Sequence, residues 1–165
     1  MARNKRLYYS NAVYHVIVRG NNRHFVLQDN SAKEKFLQTI ERYRAKFKFV
    51  LHAFVLMDNH AHLIIQVQDP HNISRVMQSI LLSYSGWFRR THDYVGYVWQ
   101  GRFKSFCISR ERYILECIKY IHQNPVRSKM AGYSEEYPFS SARYYMGKAN
   151  DKVDGLLTVE RFAIF

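Results

Sequence analysis

The sequence predicts an α+β fold in which α-helices cover an antiparallel β-sheet. Three observations predict this fold. The 165 residues, 47% of them hydrophobic, suffice for one domain with a sizeable core. Segments rich in β-branched residues alternate with segments whose apolar residues keep a helical period. Two of the β-like segments are separated by only two residues, and such a short connection forces antiparallel pairing.

The first predicted elements are a strand and a helix. The strand covers 12–20, AVYHVIVRG, because its β-branched residues end at a glycine. A loop over 21–30 leads to a helix over 32–48, AKEKFLQTIERYRAKFK. We expect Ser31 to cap this helix and Glu34 to complete a capping box.

A β-hairpin is predicted next. Its strands cover 49–57, FVLHAFVLM, and 60–67, HAHLIIQV. Asp58 and Asn59 form the turn between them, since both residue types tolerate the positive φ of a tight hairpin connection. The hairpin fixes the direction of two neighbouring strands of the sheet.

The second half of the chain adds a helix, a strand and a further helix. The helix over 72–90 carries apolar residues on one face, and the strand over 102–109 follows a loop with two glycines. The last helix covers 110–124, where Ser109 is a candidate cap and Pro125 should stop it. This order of elements resembles the split βαβ arrangement of ferredoxin-like folds.

The composition favours an anionic partner. The chain carries 25 Lys and Arg against 13 Asp and Glu, a formal net charge of +12. Aromatic residues reach 16%, and bases can stack on them, so the combination favours nucleic acid and in particular single strands. We expect one domain over 1–165, with a basic N-terminal arm at 1–11 and a C-terminal tail at 146–165.

The cysteine content and the lack of long apolar runs favour a cytoplasmic protein, and binding to nucleic acid would associate it with the nucleoid. Cys107 and Cys117 are the only cysteines, which gives neither a disulfide framework nor a Cys-rich zinc pattern. The start of the chain is basic but has no apolar signal core. No apolar run approaches the ~20 residues of a membrane span.

Two histidines open the strand over 60–67. Side chains alternate between the faces of a strand, so His60 and His62 project to the same side. Two neutral imidazoles one pleat apart can share a metal ion. The pattern alone is also compatible with a half-exposed strand that carries two polar residues. His52 and His122 are further candidate ligands, although His52 could equally be a core residue.

The helix over 110–124 could complete such a site. Tyr120 and Asn124 are four residues apart and therefore about 40° from each other at ~100° per residue. Both border the apolar stripe of the helix, so a helix packed on the sheet could aim them at the histidines. Asn124 would supply an oxygen ligand, and Tyr120 a phenol that could attack phosphorus.

Four segments together resemble a known family. NHAHLII looks like the His-hydrophobic-His motif of the HUH endonucleases, and YIHQNPVRSKM looks like the tyrosine helix of single-tyrosine transposases of the IS200/IS605 type. YHVIVRGNNRHFVL and WQGRFKSF follow that family's order and approximate spacing. The resemblance spans about Ala12 to Tyr145 and is strongest to the branch associated with repetitive extragenic palindromes.

The resemblance implies an HUH fold and a metal-dependent single-stranded DNA endonuclease and strand transferase. In this family Tyr120 would be the nucleophile that forms a 5′-phosphotyrosine, and His60 and His62 would bind Mg²⁺ or Mn²⁺. Asn124 takes the third ligand position, with the adjacent Gln123 as the alternative. The chain departs from the family at Asp58, where proline is common in the hairpin turn.

The family also implies the partner, which is single-stranded DNA with palindromic hairpins. The basic residues expected to hold this DNA lie on the arm, after the first strand and around the glycine-containing loop: Arg3, Lys5, Arg6, Arg19, Arg23, Arg89, Arg90, Arg102 and Lys104. The protein could act as a monomer or a homodimer. Alternative functions are a non-catalytic hairpin-binding protein derived from a transposase, an HUH replication-initiator nickase and an RNA-binding sheet module.

Overall fold

The computed structural model describes residues 11–69 and 72–162. Four strands and five α-helices occur in these residues. The strands are β1 (Ala12–Arg19), β2 (Val50–Leu56), β3 (His60–Val67) and β4 (Lys104–Ile108). The helices are α1 (Asn30–Phe47), α2 (Asn72–His92), α3 (Glu111–His122), α4 (Asn124–Arg127) and α5 (Ala142–Tyr145). Arg3, Lys5 and Arg6 of the predicted arm lie outside the described residues.

The strands form one sheet in the order β2-β3-β1-β4, and all neighbours are antiparallel. Strands β1 and β2 therefore run in the same direction, with β3 inserted between them. This arrangement is the split βαβ topology, so the predicted α+β class and ferredoxin-like order are confirmed. In such a topology right-handed connections place α1 and α2 on the same face of the sheet, where they pack against each other.

The core lies between this helical layer and the sheet. On β3 the alternating residues Ala61, Leu63 and Ile65 are fully buried. Phe36 of α1 and Tyr84 of α2 meet edge to face, with ring centroids 5.1 Å apart. Helix α3 contacts β2 and β4. Among the described residues, no helix has both the length and the apolar character needed to cross a bilayer.

Both predicted helix caps are wrong. Asp29, not Ser31, caps α1: its carboxylate accepts the backbone N–H of Ala32 at 2.7 Å, and the Ser31 hydroxyl donates to the same oxygen at 2.6 Å. The helix therefore begins earlier than predicted, and no capping box with Glu34 forms. At α3 the cap position belongs to Arg110, which makes no capping bond, so Ser109 does not cap it either.

The predicted hairpin turn is confirmed, but its predicted backbone conformation is wrong. The N–H of Met57 donates to the carbonyl of His60 at 2.8 Å, which leaves Asp58 and Asn59 as the turn residues. Neither has a positive φ. The Asp58 carboxylate instead accepts a hydrogen bond from the buried ammonium of Lys33 at 2.8 Å. This ion pair ties the turn to α1.

Pro125 does not simply stop the last helix. Helix α3 ends at His122, and the chain turns into α4, which contains Pro125 in its first turn. Proline has no N–H to donate to the carbonyl of Ile121 four residues earlier. The side-chain amide of Asn124 donates to that carbonyl at 3.1 Å and to the carbonyl of Tyr120 at 3.1 Å. Asn124 thus caps the end of α3.

Candidate active site and DNA interface

His60 and His62 lie on the face of the sheet opposite to the buried Leu63 side chain. Their ring centroids are 5.2 Å apart. Nδ1 of His60 lies 2.6 Å from Oδ1 of Asn59, and because a carbonyl oxygen only accepts, His60 is the donor. The tautomer of His60 is therefore fixed, and its Nε2 atom carries the free lone pair. A ring held this way is oriented for a metal ligand.

A third histidine, His15 of β1, joins this pair. Nε2 of His15 lies 2.9 Å from Nδ1 of His62, and the two rings are stacked with centroids 5.1 Å apart. His15 faces Ile64 and Phe106 on the neighbouring strands. The sequence reasoning missed His15, because its nearness to His62 depends on β1 being the neighbour of β3.

All three histidines are held in the neutral form. Burial lowers the pKa of His15 to about 4. Burial, together with the charges of His15, His60 and Arg19, lowers the pKa of His62 to about 3. Burial also lowers the pKa of His60, and nearby Arg19 adds to the effect. Near neutral pH these imidazoles therefore present lone pairs, as metal ligands must.

Tyr120 projects from α3 toward the histidines. Its ring packs edge-on against His15 and His62, with centroid distances of 6.4 and 6.3 Å. The side chain remains 46% exposed, so its ring contacts the histidines while part of it is open to solvent. A phenol placed beside two oriented imidazoles can reach a phosphate that they help to bind.

Arg127 of α4 also packs on the ring of the tyrosine. Its guanidinium carbon lies 4.7 Å from the centroid of the Tyr120 ring, a cation–π contact. Sequence reasoning missed this arginine because Pro125 was expected to end the ordered helix before it. The turn into α4 brings Arg127 back toward Tyr120.

The two candidate third ligands differ in their surroundings. Asn124 is half-buried and folds its amide nitrogen onto the end of α3. Its amide oxygen has no hydrogen-bond partner among the described residues. Gln123 is exposed and occupies the position after α3. The choice between them therefore stays a prediction.

The other two histidine candidates have structural contacts instead. Both ring nitrogens of His52 are engaged, one with the carbonyl of Glu160 at 2.8 Å and one with Oε1 of Gln66 at 2.9 Å. His122 is buried against Tyr145, and its Nε2 lies 2.8 Å from the Ser141 hydroxyl. Over residues 11–69 and 72–162, no group of three or more His, Cys, Asp or Glu side chains has an arrangement that could hold a metal ion.

The predicted basic residues that the structure describes fall into three sets. Arg19 faces His60 across the β1–β3 pair, and Lys104 faces Ile17, which in turn faces His62. Arg19 and Lys104 therefore share the face of the sheet that carries the histidines. Arg89 and Arg102 instead line a cavity beside α2. The remaining described members, Arg23 and Arg90, are exposed at other places on the surface.

An aromatic side chain extends the histidine face toward the sheet edge. Phe106 of β4 lies opposite His15, with ring centroids 6.3 Å apart, and it is 55% exposed. An exposed ring beside Lys104 offers a surface on which a base can stack. Sequence reasoning missed Phe106, since its position depends on the register between β4 and β1.

Comparisons with known proteins identify the family and agree with the fold. The sequence model of the family described as "Transposase IS200 like" matches residues 8–124. The fold is similar to that of the REP-associated tyrosine transposase bound to a REP hairpin, with a TM-score of 0.74, 20% identity and coverage of 99% of this chain and 96% of that chain. It is also similar to a Deinococcus radiodurans protein described as a transposase, with a TM-score of 0.52, 17% identity and coverage of 74% and 97%. No curated protein matches the chain.

Proposed function

The chain belongs to the IS200-like transposase family, and from this premise we propose that it cuts and rejoins single-stranded DNA beside a hairpin through a covalent bond to Tyr120. The observation that carries the proposal is the contact of the Tyr120 ring with His62, whose centroid is 6.3 Å away. A nucleophile, two oriented imidazoles and an adjacent arginine meet in one place. The single-tyrosine resemblance of the sequence implies Tyr120 as the nucleophile and His60 and His62 as metal ligands.

The reaction is a transesterification. The phenol oxygen of Tyr120 attacks the phosphorus, the bond from phosphorus to the 3′-oxygen breaks, and the proton lost by the phenol is balanced by one gained at the 3′-hydroxyl. The 5′-phosphate stays on the tyrosine. Because one phosphoester bond replaces another, a second 3′-hydroxyl can reverse the step and join a new strand without an external energy source.

The donor set suits a divalent ion such as Mg²⁺ or Mn²⁺. His60 and His62 would hold it through their Nε2 atoms, with the oxygen of Asn124 as the proposed third ligand and Gln123 as the alternative. Such an ion, when bound, draws negative charge from a nonbridging phosphate oxygen and orients the phosphate. Imidazole ligands favour Mn²⁺ over Mg²⁺.

Protein side chains supply the rest of the site. Arg127 stacks on the Tyr120 ring, and its positive charge would stabilise the phenolate that forms during the attack. Arg19 is paired with His60 across the sheet, and Lys104 and His62 are both paired with Ile17. Arg19 and Lys104 can therefore contact phosphates on either side of the cut. His15 would accept the Nδ1–H of His62 and so keep the Nε2 lone pair of His62 free.

The substrate is a hairpin with a single-stranded flank. Support comes from the charge of +12 and from the structural neighbour, which is bound to a REP hairpin. Tyr120 and the histidines of one chain meet without a second copy, which supports a monomer rather than a homodimer as the active unit. Its place of action would be the cytoplasm, at the nucleoid.

The test is incubation with a pool of hairpin oligonucleotides that carry randomised single-stranded flanks, in the presence of Mn²⁺. A denaturing gel should show a protein–DNA adduct that retains a label placed on the 3′ side of the cut. A label on the 5′ side should appear in a free fragment with a 3′-hydroxyl. Binding without any adduct would favour the non-catalytic alternative.

A further inference from the structure

A cavity lies beside α2 that the proposed cleavage chemistry does not use. Its volume is about 490 Å³, within the roughly 300–1,000 Å³ range of small-ligand sites. Its walls combine apolar and aromatic side chains with two guanidinium groups: Leu81, Leu82, Tyr97, Phe103, Arg89 and Arg102. We infer that this α2 cavity holds one unpaired nucleobase of the single-stranded flank of the substrate.

The mouth of the cavity exposes apolar surface that no other part of the described chain covers. Tyr97 is 81% exposed and Leu82 is 62% exposed, although both are large hydrophobic residues. A flat ring and an aliphatic side chain facing one cavity suit the two faces of an inserted base. A base-stacking contact of this kind accepts any of the four bases.

The charge at the cavity matches a nucleotide rather than an apolar metabolite. Arg89 and Arg102 are exposed residues on two different segments, yet both line the cavity. Neither forms an ion pair with an acidic side chain among the described residues. Two uncompensated guanidinium groups beside an apolar cavity suit the phosphates on either side of an inserted base.

Polar groups inside the cavity can contact the edge of a base. Gln78 and Ser85 line it from α2, and neither side chain has a hydrogen-bond partner among the described residues. The amide of Gln78 can donate and accept, and the hydroxyl of Ser85 can do the same. These two groups would give the cavity a preference among bases.

Trp99, a buried residue in the lining of the cavity, is held in place by its own contacts. Its indole N–H donates to the carbonyl of Leu81 at 3.3 Å. Its ring packs against Tyr84 and Phe36, with centroid distances of 5.5 and 5.6 Å. The cavity is therefore formed before any ligand enters, which lowers the entropic cost of binding.

The cavity is also linked to the cleavage site through β1. The N–H of Gln100 donates to the carbonyl of Arg19 at 2.8 Å, and the N–H of Asn21 donates to the carbonyl of Val98 at 2.9 Å. Arg19 in turn faces His60 across the sheet. Two interstrand spacings, about 10 Å, therefore separate the cavity loop from β3. Because α2 covers the face of the sheet opposite to the histidines, the flank would pass from Tyr120 around the β4 edge of the sheet to reach the cavity.

The inference rests on the proposed function, so its test uses binding rather than cleavage. Two hairpin probes share the same stem. One carries single-stranded flanks of thymidine, and the other carries flanks of abasic residues that keep every phosphate. The wild-type protein should bind the thymidine probe at least about fivefold more tightly, as expected for a stacked base. Pairing the flank with a complementary strand should remove the same advantage.

Variants connect this base dependence to the cavity. Tyr97→Ala and Leu82→Ala change exposed side chains and should lose the preference for the thymidine flank. Arg89→Ala and Arg102→Ala should lower the affinity for both probes alike and reduce the dependence of affinity on salt. There are two controls. Tyr133→Ala removes an aromatic ring that is 69% exposed and does not line the cavity, and Arg42→Ala changes the exposed face of α1. Both controls should bind like the wild type.

The outcomes separate the two proposals. If the wild-type protein binds both probes equally, or if Tyr97→Ala and Leu82→Ala keep the full preference for bases, the cavity does not hold a base and this inference is overturned. If the wild-type protein binds neither hairpin, the proposed function itself fails.

Discussion

Nε2 of His15 lies 2.9 Å from Nδ1 of His62, in a buried pair of stacked rings on neighbouring strands. One of the two nitrogens must donate and the other accept. If His62 donates, its Nε2 is free to bind a metal ion; if His15 donates, the Nε2 of His62 carries the proton. The contact between these two residues therefore decides whether His62 can be a ligand.

We expect His15→Phe to weaken Mn²⁺ binding by about 10- to 100-fold, the usual effect of removing such a partner. His15→Gln should recover most of the affinity, because its amide oxygen can accept the Nδ1–H of His62. Calorimetric titration with Mn²⁺ measures the affinity directly. An unchanged affinity in His15→Phe would show that this pair does not orient His62.

We expect Arg127→Ala to slow cleavage by about five- to thirtyfold, which corresponds to ~1–2 kcal/mol for a cation–π contact at a partly buried site. Arg127→Lys keeps the charge but loses the flat stacking surface, so its rate should fall between those of the wild type and Arg127→Ala. Single-turnover cleavage at saturating hairpin DNA separates the rate from binding. If both variants cleave as fast as the wild type, Arg127 has no role at Tyr120.

Asn124 has two candidate roles, and substitutions distinguish them. As a metal ligand it acts through its oxygen, whereas as the cap of α3 it acts through its nitrogen. Asn124→Asp keeps the oxygen and removes the donor, so it should retain Mn²⁺-dependent cleavage while lowering the melting temperature. Asn124→Ala should lower both the Mn²⁺-dependent cleavage and the melting temperature. Added Mn²⁺ should partly restore its cleavage. If Gln123→Ala is instead the variant that excess Mn²⁺ rescues, the ligand is Gln123.

Three buried histidines should make the fold sensitive to mild acid. The pKa of His15 and of His122 lies at about 4 and that of His62 at about 3, all below the ordinary histidine value of 6.5. At a pH between the folded-state pKa values and 6.5, the unfolded chain binds more protons than the folded protein. The free energy of unfolding should therefore fall as the pH drops from about 6.5 to 4, by up to ~1.4 kcal/mol per pH unit for each histidine.

Urea unfolding of the protein over this pH range checks the expectation. In His122→Gln the slope of the unfolding free energy against pH should be smaller, even though the variant is less stable overall. A flat free energy between pH 6.5 and 4 would contradict the buried neutral state of these residues.

The parts of the fold that follow from local periodicity were predictable. The common face of His60 and His62 follows from strand alternation, and the hairpin follows from its two-residue connection. The helix caps were not predictable. Asp29 and Ser31 are both good caps and lie two residues apart, and only the tertiary position of α1 selects one of them.

The missed site residues depend on long-range order. His15 and Phe106 reach the site only because β1 lies between β3 and β4 in a particular register. Arg127 reaches Tyr120 because the chain turns at Pro125 and continues as α4. Neither strand order nor the direction of a chain after proline can be read from side-chain periodicity.

The most direct test of the central claim is the position of the covalent bond to DNA. Wild-type protein, Tyr120→Phe and the control Tyr113→Phe, which changes another exposed tyrosine of α3, are incubated with the hairpin pool and Mn²⁺. We expect an adduct in the wild type and in Tyr113→Phe, with the DNA attached at residue 120 by peptide mass spectrometry. Tyr120→Phe should bind the hairpins with nearly unchanged affinity and form no adduct. An adduct that persists in Tyr120→Phe, or that maps to another residue, would contradict the account.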